Sequence, residues 1–195
     1  MSSEVIKFLH TRRSVVAKKM LPTAPSVDQL NDIIQCGLRV PDHSNVQPWR
    51  IIVLKDEARQ KFAEQVVLPA AEANAKKKHE TMTDTLRAVE LSRVLRGGIV
   101  IAVLSRPVVP HKIPIWEQQL SAAAVCSHIL IAAQSLDFAV QWITEWPAYD
   151  PSVIEALGGN PQHDLVAGFI HIGGKAESPA ERSRPVESEI VSYWT

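Results

Sequence analysis

The spacing of hydrophobic positions changes several times along the chain, and each change predicts a different element. Val5, Ile6 and Leu9 share one side of a short helix that Ser3 can cap and that runs into Thr11-Arg12-Arg13-Ser14. Ser26 and Gln29 form a capping-box pair. Val27, Leu30, Ile33, Ile34 and Leu38 then recur at helical spacing, which predicts a second helix with a core face and Arg39 at its end. Arg50-Ile51-Ile52-Val53-Leu54 is almost continuously β-branched, the pattern of a strand covered on both faces.

From Asp56 to Arg96 the chain is charged, alanine-rich and helical in pattern, with Pro69 predicting a break. Gly97-Gly98 releases a second buried strand, Ile99 to Leu104. A stiff loop carrying Pro107, Pro110 and Pro114 leads into a long helix from Trp116-Glu117 to Leu136, crowded with alanine and serine. His128 sits on that helix as a satisfied core residue, not a ligand. Ala139 to Thr144 and Leu165 to Ile172 read as strands, with a short helix from Asp150-Pro151 to Gly158-Gly159 between them. A last strand-like run, Ile190 to Trp194, must pair with a sheet, either its own or a partner's. Strands alternating with helices imply an α+β or α/β layered arrangement in one domain, residues 1–195, with an extended arm from 173.

Composition narrows the classes of function. Lys and Arg together number 21, as do Asp and Glu, so no global charge favours nucleic acid or an anionic membrane, and an anion site must be local. The run Lys76-Lys77-Lys78-His79 has no aromatic platform and is flanked by Glu72 and Glu80, which suits a solvated helix face. The 2 cysteines, Cys36 and Cys126, lie within apolar helical patterns and read as buried thiols in a reducing compartment. The first residues lack a secretory leader's charged start and apolar run, so the mature chain is expected to begin at Met1 in the cytoplasm. Leu120 to Ala133 is shorter than the ~20 apolar residues that a membrane span needs.

Neither G-x-G-x-x-G, P-loop, G-x-S-x-G nor H-E-x-x-H occurs, and the 7 histidines show no metal-ligand spacing. Between the second helix and the first strand lies Pro41-Asp42-His43-Ser44-Asn45-Val46-Gln47-Pro48-Trp49. Its Asp, Ser and Asn side chains can bond nearby backbone and its prolines restrict φ, so it should hold one non-helical shape, as an ordinary connection or as a binding loop.

Arg12-Arg13-Ser14 after a short helix, then Arg39-Val-Pro-Asp-His43-Ser-Asn45-Val-Gln47-Pro48-Trp49 entering a strand, resembles the nitroreductase family, in its small-subunit Pro-Asp-His branch. The alanine-rich helix, the Trp142-Ile143-Thr144 strand end, the Gly168 to Gly174 strand and Arg182-Ser183-Arg184-Pro185 follow in the family's order. The resemblance implies a three-layer α+β fold with a central mixed or antiparallel sheet, and a homodimer that exchanges its C-terminal arms and holds FMN at the interface. It places Arg12 and Ser14 at the phosphate, ribityl chain or ring edge with Arg13 between them in the cofactor site, Arg39 and His43 at FMN contacts, and Asn45 facing the flavin from the second protomer. Trp142, Ile143 and Thr144 would lie beside the ring, with Arg182 and Arg184 at the phosphate. His43 and the Ile143-Thr144-Glu145 segment depart from the family's usual small or glycine-rich residues.

An arginine fork meets phosphate oxygens bidentately, which supports the basic residues on physical grounds. The implied activity is reduction of nitroaromatics or quinones by NAD(P)H in a ping-pong cycle, with hydride passing through the flavin and no side-chain catalyst. A flavin carrier or sensor without turnover, and a specialised dehalogenase, flavin-fragmenting enzyme or dehydrogenase, are the rival readings.

Overall fold

The computed structural model describes residues 4–195; the proposed Ser3 cap lies outside them. Four strands form one antiparallel sheet in the order β1-β2-β4-β3: β1 Trp49–Leu54, β2 Ile99–Ser105, β3 Ala139–Ile143 and β4 Leu165–Gly173. The sheet is antiparallel throughout, with no parallel pair among the described strands.

The strand β2 is apolar from Ile99 to Leu104 because it is central and both its faces are covered. Side chains alternate across a strand, so Ile99, Ile101 and Val103 turn to one side and Val100, Ala102 and Leu104 to the other. On the first side they meet α2 (Val27–Gly37) and α6 (Ile115–Ser135) through Ile33, Val125, Ile129 and Ala133. On the second they meet Phe62, Val67, Val94 and Ile154. These come from α3 (Glu57–Phe62), the turn that follows it, the helical turn after α5 (Asp84–Ser92), and α7 (Pro151–Ala156). Helices on both faces of an antiparallel sheet make the α+β three-layer arrangement.

Ser26 accepts from the Gln29 amide at 3.2 Å while the Gln29 side chain accepts from the Ser26 amide at 3.0 Å, the reciprocal cap expected at the start of α2. Of its apolar residues only Ile33 is fully buried, and Val27 and Leu38 lie on the surface. The strand β1 is likewise less covered than its β-branched run suggested. It is an edge strand paired only with β2, and only Leu54 is buried.

Pro69 does not break the helical stretch. Residues Ala63–Val67 form a π turn between α3 and α4 (Leu68–Lys77), with the Leu68 amide donating to the Ala63 carbonyl. Pro69 thereby falls at the start of α4, directly after the widened π turn. The basic run ends α4 at the surface.

Cys126 is buried in α6, and burial pushes its thiol up to about 12, while Cys36 is exposed, contrary to expectation; both are free thiols. His128 is only half-buried, with Nδ1 3.2 Å from the Cys36 carbonyl, so it bridges α2 and α6 and does not fill the core. The tail forms a short helix, α8 (Glu187–Ile190), and Ile190–Trp194 adds no strand to the chain's own sheet. Tyr193 and Trp194 are 82 % and 100 % exposed. Among the described residues no helix is long and apolar enough to cross a membrane.

His171 of β4 is buried, its Nδ1 3.3 Å from the Arg96 carbonyl. Burial pushes its imidazole down to about 4, against the pull of that carbonyl, with Arg96 and Arg59 also lowering it and Glu145 raising it. Between the unfolded value of 6.5 and about 4 the unfolded chain binds the extra proton, so stability falls as pH drops through that window. The expected loss from this group is about 3 kcal/mol. Urea midpoints measured across the window should therefore fall less steeply with acid in His171→Gln than in the natural chain.

Candidate active site

The edge strand β3 is flanked by the segment that leaves α1 (Glu4–Thr11). Val15 donates its amide to the Val140 carbonyl at 3.1 Å, and the Ala17 amide donates to the Gln141 side chain at 2.6 Å. This pairing brings Arg12 and Ser14 to the end of β3. A cavity of about 620 Å³ opens there, lined by Leu9, Arg12, Ser14, Ser127, Leu130, Ile131, Trp142 and Thr144. One end presents a guanidinium and hydroxyls, and the remainder is aliphatic and aromatic.

Arg12 is oriented from below. Its Nε donates to Gln134 Oε1 at 2.9 Å and its Nη2 to Ser14 Oγ at 3.3 Å. Gln134, only 8 % exposed, also donates Nε2 to the Arg13 carbonyl at 2.6 Å. One buried amide thus fixes both the arginine side chain and the backbone beside it. Gln134 was not among the expected site residues; its visible signal was a polar residue in the apolar run of α6.

Trp142 reaches the cavity because of a bulge in the neighbouring strand. The register of β2 with β4 slips after Val103, which pairs with Gly168 while Leu104 pairs with Val166. Trp142 Nε1 donates to the Ala167 carbonyl at 2.9 Å, and its ring lies over Gly168. A Cβ at Gly168 would fall 2.1 Å from the indole nitrogen. Ile143 points the other way, as strand alternation requires, and packs with Val15, Ala17, Met20 and Ala139. Its side chain does not line the cavity with Trp142 and Thr144.

Arg13 lies beside this cavity and joins the tail. Its Nη1 donates to the Ala180 carbonyl and pairs with Glu181 at 3.2 Å, and Arg184 reaches the same carboxylate at 3.0 Å. The Arg182 amide first, then the charges of Arg184 and Arg13, hold the Glu181 carboxyl below its usual range. Glu181 is exposed, so these pairs are weak tethers. Arg182 contributes its backbone amide to Glu181 while its side chain is exposed.

Arg39, His43 and Asn45 do not line the Arg12 cavity. His43 Nδ1 lies 2.7 Å from Glu117 Oε2 in a second cavity of about 600 Å³, with Pro41, Asp42, Leu120, Ser121 and Ala124. Three left-handed residues, Ser44 (φ 59°), Asn45 (φ 54°) and Gln47 (φ 52°), give the loop the expected non-helical shape, with one tight turn at His43–Asn45. Asp42 accepts from the Gln47 amide at 2.7 Å, and Asn45 accepts from the Gln47 side chain at 3.3 Å. Ser121 secures both ends by donating to the Pro41 carbonyl at 2.9 Å and accepting from the Trp49 indole at 3.2 Å. Arg39 is exposed at the end of α2.

A charged network missed at the sequence level lies behind Thr144. Glu145 accepts from Arg93 at 2.5 Å and Arg96 at 3.2 Å. Burial works against its ionisation, but the Arg93 hydrogen bond and the Arg96 charge outweigh it and keep its pKa below the usual value. Among the described residues no group of three or more His, Cys, Asp or Glu could hold a metal.

The model of the nitroreductase family matches residues 9–174, and the chain belongs to that family. YdjA of Escherichia coli K12, provisionally named an NAD(P)H nitroreductase, is 30 % identical over 194 residues, covering 98 % of this chain and 100 % of YdjA. A nitroreductase-like protein of Bacillus cereus superposes with a TM-score of 0.80 at 20 % identity, covering 100 % of this chain and 97 % of that one. A Bacteroides fragilis nitroreductase solved with bound FMN gives 0.71 at 22 %, with both chains covered in full. These structural likenesses establish the fold.

Gly168→Ala should displace the Trp142 ring from the cavity wall. A shift in tryptophan emission with retained far-ultraviolet circular dichroism is the expected result, and unchanged emission would contradict the placement.

Proposed function

We propose that this chain is an FMN-dependent oxidoreductase that uses NAD(P)H to reduce nitroaromatics, quinones or similar acceptors. The single observation that carries the reading is the cavity joining Arg12 and Ser14 to Trp142 and Thr144. Its volume suits a cofactor-sized ligand, for which pockets of about 300–1,000 Å³ are usual. A guanidinium already oriented by Gln134, with a hydroxyl beside it, offers donors to a phosphate or a polar ring edge. Leu130, Ile131 and Trp142 offer an apolar wall for a planar ring. The donor set therefore fits FMN. The names of relatives, with NAD(P)H nitroreductase for YdjA and bound FMN for the Bacteroides fragilis structure, support the same cofactor and co-substrate.

When bound, FMN supplies two-electron transfer between a reduced nicotinamide and an oxidised acceptor. The protein's own part is binding and exclusion. Arg12 offsets anionic charge, Gln134 keeps Arg12 from turning into solvent, and the aliphatic wall from α6 keeps water from one face of the site.

The active form in this reading is a cytoplasmic homodimer of single-domain protomers, residues 1–195, with the arm from 173 lying along the partner. Asn45 of the Pro41–Trp49 loop then faces the flavin held by the other protomer, Arg39 and His43 contact FMN, and Arg13, Arg182 and Arg184 complete its surroundings. Exposed apolar residues support this: Val5, Ile6 and Leu9 on α1, and Ile190, Tyr193 and Trp194 on the tail.

The visible spectrum of the purified protein, and reconstitution with FMN, test the cofactor. Oxidation of NADH or NADPH with an added quinone tests turnover, since stoichiometric reduction alone would favour a flavin carrier. Arg12→Ala should weaken FMN binding by about tenfold or more while leaving the chain folded. Deleting Glu189 to Thr195 should shift the sedimentation coefficient toward monomer, and an unchanged dimer would remove the arm from the interface.

A further inference from the structure

The chain that leaves β3 beside the cavity passes at once through a strained residue. Glu145 has φ 48° and ψ −176°, close to a region that glycine alone occupies at ease. Such a conformation persists only where the surroundings over-determine it. Here the determinants are visible. The Glu145 carboxylate receives Arg93 Nη1 at 2.5 Å and Arg96 Nη1 at 3.2 Å. Arg93 is held in turn by Glu90, through Nε at 2.5 Å and Nη2 at 2.8 Å, and the same Glu90 accepts from the Trp146 indole at 2.9 Å.

Residues 145 and 146 are thus tied to one helical stretch, and the residue on the other side of the strained position, Thr144, lines the cavity. Two carboxylates face two guanidiniums, so the network is neutral. Glu90 and Arg96 are buried while Glu145 is exposed, and the arrangement is not free of cost, because Arg96 Nε is buried with no partner. An ion-pair cluster open to solvent at Glu145 that also leaves a buried donor unsatisfied is a poor device for stability alone. What it does supply is a fixed backbone at the mouth of the cavity.

We propose that Arg93 and Arg96 are positioning residues. They clamp the Glu145 carboxylate, so the chain keeps a glycine-like conformation at a residue that is not glycine, and this sets Thr144 and Trp142 at the cavity wall. The inference rests on the FMN reading for its ligand, though the clamp itself can be measured without flavin.

Glu145→Ala and Glu145→Gly separate this role from simple stabilisation. Both remove the carboxylate, but only glycine takes φ 48° without strain. E145A should bind FMN about tenfold more weakly, and E145G should stay within about threefold of the natural chain. Without flavin, amide exchange at Thr144 to Trp146 should be faster in E145A. E145A with natural affinity and exchange would overturn the clamp, as would equal losses in E145A and E145G, since the carboxylate and not the backbone shape would then matter. If E145A does not fold, Arg96→Gln removes one of the two donors and should speed exchange over the same residues; unchanged exchange overturns the proposal. Failure of the natural chain to bind FMN would instead sink the functional reading, while the exchange comparison would still judge the clamp.

Discussion

The structure depends first on the two-sided burial of β2. A strand whose every side chain from Ile99 to Ser105 is hidden can exist only with a strand on each edge and a layer on each face. That requirement places α6 and α2 against one side and the α3, π-turn and α7 group against the other. Removing apolar surface from water is worth about 25 cal/mol per Å², and such burial is the dominant favourable term of folding. The polar site can sit only where the sandwich ends.

It sits at the edge strand β3, where two irregularities meet. The β4 bulge opposite Val103 leaves Gly168 and the Ala167 carbonyl to receive the Trp142 ring. The strained Glu145 turns the chain away immediately after Thr144. Regular pairing would have given neither a ring over a neighbouring strand nor a cavity wall that ends abruptly. Both features cost local order, and both are held by side-chain contacts with distant segments: Gln134 for Arg12, and Arg93 and Arg96 for Glu145.

Much of the architecture was legible from local pattern. The capping box at Ser26, the glycine pair before Ile99, the helix start at Asp150-Pro151 and the alanine-rich course of α6 all appear where spacing and end signals placed them. Errors fell where a partner segment decides exposure. The β-branched run of β1 reads as central, yet β1 is an edge. Cys36 and Val27 obey the helical period but are exposed, and Ile190–Trp194 has strand composition without joining the described sheet.

Family membership was legible in the sequence, because motif order along a chain survives without coordinates. Arg12, Ser14, Trp142 and Thr144 could be named, but that they share one cavity could not, since they stand about 130 residues apart and meet only through the pairing of Val15 with β3. The same holds for what orients them. Gln134, Gly168, Arg93 and Arg96 carry no motif; their roles are distances and a backbone angle, and those exist only once the sheet has closed and the helices have packed on it.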